Sequence, residues 1–83
     1  MKTKTIFGIE YEVVTPKEGE DVIMPGKNVY LDLEYARVGK IECDRLRSKG
    51  DISSEGHISS KGDISSEGHI SSKGYISSVG DIY

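Results

Sequence analysis

Eighty-three residues, 35% of them hydrophobic, with one Phe and no Trp, leave little apolar bulk for a conventional two-layer core. Fourteen acidic against eleven basic side chains give a formal charge of −3, without the basic stripe of a nucleic-acid binder. No apolar run approaches a signal-peptide core or the ~20 residues of a membrane span, and the one cysteine, Cys43, makes no intrachain disulfide. One small cytoplasmic unit is expected, touching neither membrane nor nucleic acid directly, and leaning on repetition or on a partner chain for stability.

In chain order, Phe7, Ile9, Tyr11 and Val13 alternate with Gly8, Glu10, Glu12 and Val14, which predicts a half-buried strand. Thr15–Asp21 is a loop, and Val22–Met24 is a short apolar run closed by the turn Pro25-Gly26-Lys27-Asn28. Val29, Leu31, Leu33 and Tyr35 alternate with Tyr30, Asp32 and Glu34 in a further strand; a break near Val38-Gly39 precedes Ile41 and Cys43. Residues 1–45 are expected to form a small β cap or hairpin region protecting one end of the C-terminal half.

Residues 46–83 are a repeat. Ser48–Ser59 reads SKGDISSEGHIS, Ser60–Ser71 repeats it letter for letter, and Ser72–Tyr83 is a degenerate third copy, SKGYISSVGDIY. Inside each twelve lies a six-residue unit, with its aliphatic residue at Leu46, Ile52, Ile58, Ile64, Ile70, Ile76 and Ile82. Six is no helix period, and Gly in every unit opposes helix. Six is a multiple of two, so alternate residues from Leu46 onward are always Leu or Ile, Ser, or Gly, while Arg47, Lys49, Asp51, Glu55, His57 and Lys61 face outward. The Gly and Ser-Ser positions are natural corners.

The outward charges set the size of a coil. With twelve residues per coil, Lys49 would lie on Lys61 and Glu55 on Glu67, like on like. With eighteen, Lys49 lies on Glu67, Glu55 on Lys73 and Asp51 on His69, each opposite pair contributing ~0.2–1 kcal/mol. Only Asp63 over Asp81 offends. Three intertwined chains would give the same complementarity. The expected fold is all-β: a short three-sided β-helix of about eighteen residues per coil, with the N-terminal β cap. The Ile-Ser-Ser-Lys-Gly-Asp unit resembles the repeats of bactofilin-type β-helix proteins and, more loosely, left-handed hexapeptide-repeat β-helices. That likeness implies a self-associating solenoid. It covers only Leu46–Tyr83, and this stretch is shorter than a bactofilin array.

No constellation specifies a chemistry. His57 and His69 stand twelve residues apart on different sides of an eighteen-residue coil, which makes them surface ladder residues rather than metal ligands. A set such as Ser54, His57 and Asp63 arises inevitably from a repeat rich in all three and lacks a pocket. Ser53, Ser59, Ser65, Ser71 and Ser77 read as corner residues, and Cys43 as a small buried one. No enzyme activity, cofactor or metal is expected. Two protein-binding candidates remain. Glu10, Glu12, Asp32 and Glu34 would pool their carboxylates if the two N-terminal strands paired. Tyr75, Val79 and Tyr83 replace outward polar residues in the last repeat, with Tyr75 falling beside His57 and Val79 beside Lys61. The expected function is a structural or protein-binding module forming a dimer, trimer or filament through solenoid edges. The alternative is a small phage or mobile-element inhibitor, anti-CRISPR-like, whose acidic face meets a host defence nucleoprotein.

Overall fold

The computed structural model describes residues 2–82. Among them lie nine strands and no helix, and the strands join into one sheet that winds as a β-solenoid of about four turns. β1 (Thr3–Ile6) and β2 (Ile9–Val14) form the one antiparallel pair among them. Phe7 and Gly8 close this hairpin with φ of 50° and 77°. A two-residue hairpin turn of type I′ needs positive φ at both positions, and Gly8 takes its share without strain. The strand expected from Phe7 onward therefore starts at Ile9: Phe7 projects from the turn, 89% exposed, while Tyr11 is buried.

The next two strands are long because each turns corners without losing its ladder. β4 (Tyr35–Ser48) supplies three successive sides by itself. Its first part, Tyr35–Val38, pairs with β5 (Asp51–Ser54). Ile41–Cys43 then pairs with β6 (Ile58–Ser60), and Leu46–Ser48 with β7 (Ile64–Ser66). The last coil adds β8 (Ile70–Ser72) on β5, β9 (Ile76–Ser78) on β6, and a bridge from Ile82 to Ile64. On the other flank of β4 lies β3 (Glu20–Leu31), and β2 lies beside the end of β3, with Glu12 opposite Val29. All of these pairings are parallel.

Winding therefore starts well before Leu46, where the six-residue spelling begins. The expected cap over residues 1–45 becomes a hairpin followed by ordinary coils, and β4 runs straight across the 45/46 boundary. Irregular spacing conceals these coils in the sequence. Partners are sixteen residues apart at Ala36 and Ile52, seventeen at Ile41 and Ile58, and eighteen at Leu46 and Ile64. The turn expected at Pro25–Asn28 is a register shift that carries β3 round a corner, and no break interrupts β4 at Gly39.

From Leu46 onward the partners are eighteen residues apart, as the charge pattern requires: Ile52 beside Ile70, Ile58 beside Ile76, Ile64 beside Ile82. The core is the inward ladder. Val29, Leu31, Ala36, Val38, Ile41, Leu46, Ile52, Ile58 and Ile64 are each no more than 1% exposed. Burying one such aliphatic side chain is worth about 1.5–3 kcal/mol.

The second serine of each unit points inward and latches coil to coil. Ser60 Oγ donates to the Asp44 carbonyl at 2.7 Å, Ser66 to Gly50 at 2.7 Å, Ser72 to Gly56 at 2.6 Å and Ser78 to Gly62 at 2.7 Å. These hydroxyls satisfy corner carbonyls that the ladders leave over. The first serine of each pair is not a corner residue as expected. Ser53, Ser59, Ser65, Ser71 and Ser77 are the middle residues of short strand segments, and the chain bends at Lys-Gly and Glu-Gly instead. Glycine is required there by proximity: at Gly50 a Cβ would collide with the Glu34 carbonyl of the coil before.

Candidate functional site

The last coil has a strand neighbour on one side only among the described residues. Ile70 and Ile76, which repeat the buried Ile52 and Ile58, are half-buried, and Ile82 is 49% exposed. The outer edges of β8 and β9 pair with no further strand among the described residues. Beside this edge stand Tyr75 and Val79, 66% and 86% exposed.

Both are placed by the repeat. Gly74 and Gly80 turn the chain at the two ends of the β9 segment, and Ser77 lies midway between Tyr75 and Val79. The Tyr75 ring stacks on His57 of the coil before it, centroids 4.9 Å apart and planes 5° from parallel, which is the neighbour the eighteen-residue period predicts. Its carbonyl accepts from the Ile58 N–H at 3.0 Å, and the Val79 N–H donates to Ser60 at 3.3 Å. Val79 shares a groove with Lys61. Tyr83, the third member of the expected patch, lies outside the described residues.

The charges around this coil divide into two kinds. Lys73 Nζ reaches Glu55 at 3.1 Å, an ion pair in the predicted register. Lys49 and Glu67 form none within 4.0 Å. The aspartates do something else: Asp51 Oδ1 accepts the backbone N–H of His69 at 2.8 Å, and Asp63 Oδ1 that of Asp81 at 2.9 Å. Asp21 does the same for Lys40 at 3.1 Å. Asp51 thus serves the His69 backbone rather than its ring, and the supposed clash of Asp63 with Asp81 is resolved by a hydrogen bond. A carboxylate at a corner, aimed at an amide of the coil above, is a backbone cap that no charge tally reveals.

The acidic N-terminal set does not assemble. Parallel pairing puts Glu12 opposite Val29, three residues short of Asp32, while Glu10 pairs across the hairpin with Thr5. Glu12 lies 3.6 Å from Lys27, and Glu18 pairs with Arg37 at 3.1 Å. Glu34 contributes its carbonyl to the Asp51 N–H. Of Glu10, Glu12, Asp32 and Glu34, only the Glu12 carboxylate has an ion-pair partner among the described residues, and the pairing register keeps the set from pooling.

Other reactive groups are occupied structurally. Burial, and behind it the neighbouring Asp44, pushes the Cys43 thiol up to about 12, so it carries no thiolate near neutral pH. No group of three His, Cys, Asp or Glu side chains is placed to hold a metal among the described residues. An open groove by Pro16, Leu33 and Tyr35 is lined also by Glu18 and Arg37, already paired with each other. Sequence reading missed Phe7, whose exposed ring has the Arg47 guanidinium 5.6 Å from its centre; only Gly8, marking a turn, could have placed it outside a strand. No family model matches the chain, and no curated protein or solved structure matches it either.

Proposed function

We propose that this chain is a non-enzymatic β-solenoid module that acts by association, with itself or with another protein, through its terminal coil. One observation carries the reading: a parallel sheet edge left open at β8 and β9, bordered by the exposed side chains of Tyr75, Val79 and Ile82. Unpaired strand edges are templates for pairing, and apolar residues beside them supply the area that makes pairing durable. Polar side chains such as Ser60, Asp51 and the Lys73–Glu55 pair serve as hydroxyl latch, backbone cap and ion pair that hold coil to coil. Light scattering coupled to size exclusion, over a concentration series, tests this. A mass above that of the single chain is expected. A single-chain mass throughout, with no protein captured from the native host extract, would defeat the proposal.

A further inference from the structure

Resting on that reading, we infer that the partner at the open edge is a second copy of this chain, paired antiparallel along β9 about a two-fold axis at Ser77. In such a pairing, residues equally distant from Ser77 face one another. Tyr75 then meets Val79 of the second copy, and Lys73 meets Asp81, each contact occurring twice. Inside the prism, Ile76 faces Ser78, and on the next side Ser72 faces Ile82, so each terminal ladder covers the other.

The repeat supplies its own control. The same frame drawn about Ser53 puts Asp51 against Glu55 and Lys49 against His57. About Ser65 it puts Asp63 against Glu67 and Lys61 against His69. Both copies oppose carboxylate to carboxylate and cation to imidazole, which disfavours self-pairing. The third copy departs from the first two at Tyr75, Val79, Asp81 and Tyr83. Three of those four changes fall at the frame's facing positions. They replace two acids by an apolar pair and turn a basic pair into Lys73 with Asp81. Lys73 already reaches Glu55 of its own chain, so the pairing places an unlike charge on its other side as well.

The opposite end of the solenoid is a poorer match. There β1 and β2 occupy one side, and partners in the first coils vary from seventeen to nineteen residues apart rather than holding at eighteen. Head-to-tail stacking would meet a covered side and an irregular register, whereas the two-fold pairing closes after two chains.

Disulfide trapping reads the register directly. A two-fold at Ser77 brings the two copies of that residue to a Cα separation of about 4.5–5.5 Å, inside the roughly 4.4–6.8 Å that a disulfide spans. Ser71→Cys, the matching exposed position on β8, serves as control, and native Cys43 is buried. Under mild oxidation Ser77→Cys is expected to form covalent dimer at least tenfold faster than Ser71→Cys. Val79→Glu, which restores the spelling of the earlier copies above Lys61, is expected to halve the mass and abolish the cross-link while keeping the β spectrum. Equal trapping at both positions, filaments, or an undiminished dimer in Val79→Glu would overturn the β9 register but leave self-association standing. A wild-type chain of single mass at every concentration would overturn both.

Discussion

The coils before Ser48 and those after it reach the same prism by different means. The earlier ones are irregular in spelling, yet Val29, Leu31, Ala36, Val38, Ile41 and Leu46 are sealed within them. The later ones repeat almost perfectly, yet their inward isoleucines pass from sealed at Ile58 and Ile64 to half-exposed at Ile82. Fidelity of the repeat therefore does not govern burial: Val22 is sealed in an irregular coil, while Ile82 in the repeat is not. The irregular coils can vary because side chains of different sizes fill the prism as the spacing shifts. The regular ones use one hydroxyl latch and one glycine corner repeatedly, and each depends on the coil before it.

The comparison breaks most sharply at equivalent isoleucines. Ile58 and Ile76 occupy the same side one coil apart. Ile58→Ala should cost ~2–5 kcal/mol in urea denaturation, and Ile76→Ala on the order of 1–2 kcal/mol, because its site is already partly open. Equal losses would mean that the terminal coil is covered in solution, as the dimer requires, so the pair should be measured in a Val79→Glu background as well. Glycine corners come next. Gly50→Ala drives a Cβ into the Glu34 carbonyl and should cost ~1–3 kcal/mol. Gly26→Ala meets no atom within 4 Å and loses only about 1 kcal/mol to its φ of +81°.

The serine latch gives a smaller and more graded effect. Ser60→Ala removes a buried hydroxyl from the Asp44 carbonyl and should cost ~1–2 kcal/mol, while Ser78→Ala, less buried at the end, should cost less than about 1 kcal/mol. Smallest is the Lys73–Glu55 pair, whose side chains are 76% and 70% exposed. A double-mutant cycle should return ~0.2–1 kcal/mol, fading with added salt. A coupling that persists in high salt would place this pair in a drier setting than a lone chain provides.

The period of the inward isoleucines was legible in the sequence, and so was the eighteen-residue coil, because opposite charges had to stack. That coil in turn placed Tyr75 on His57 and Lys73 on Glu55 from spacing alone. The winding of residues 20–45 was hidden, since shifts of one or two residues erase a period without disturbing the ladders that parallel strands make. Alternation also misled at Phe7, where a turn continues the pattern of a strand. Backbone demands were the least visible. Asp51 and Asp63 read as charges, and Ser60 and Ser66 as small fillers, because a sequence records side chains and not the amides and carbonyls they must satisfy.

The duplicated segment and the coil are out of phase. Twelve residues are copied, but eighteen complete a circuit, so each copy occupies two of three sides. Growth by whole copies preserves the alternation of Lys-bearing and Glu-bearing units, and with it the stacking of unlike charges. It also rotates the growing end by two-thirds of a turn each time. A chain lengthened by one copy ahead of Ser72 would carry Tyr75 and Val79 to a different side of the prism, and only three added copies would return them to their starting direction.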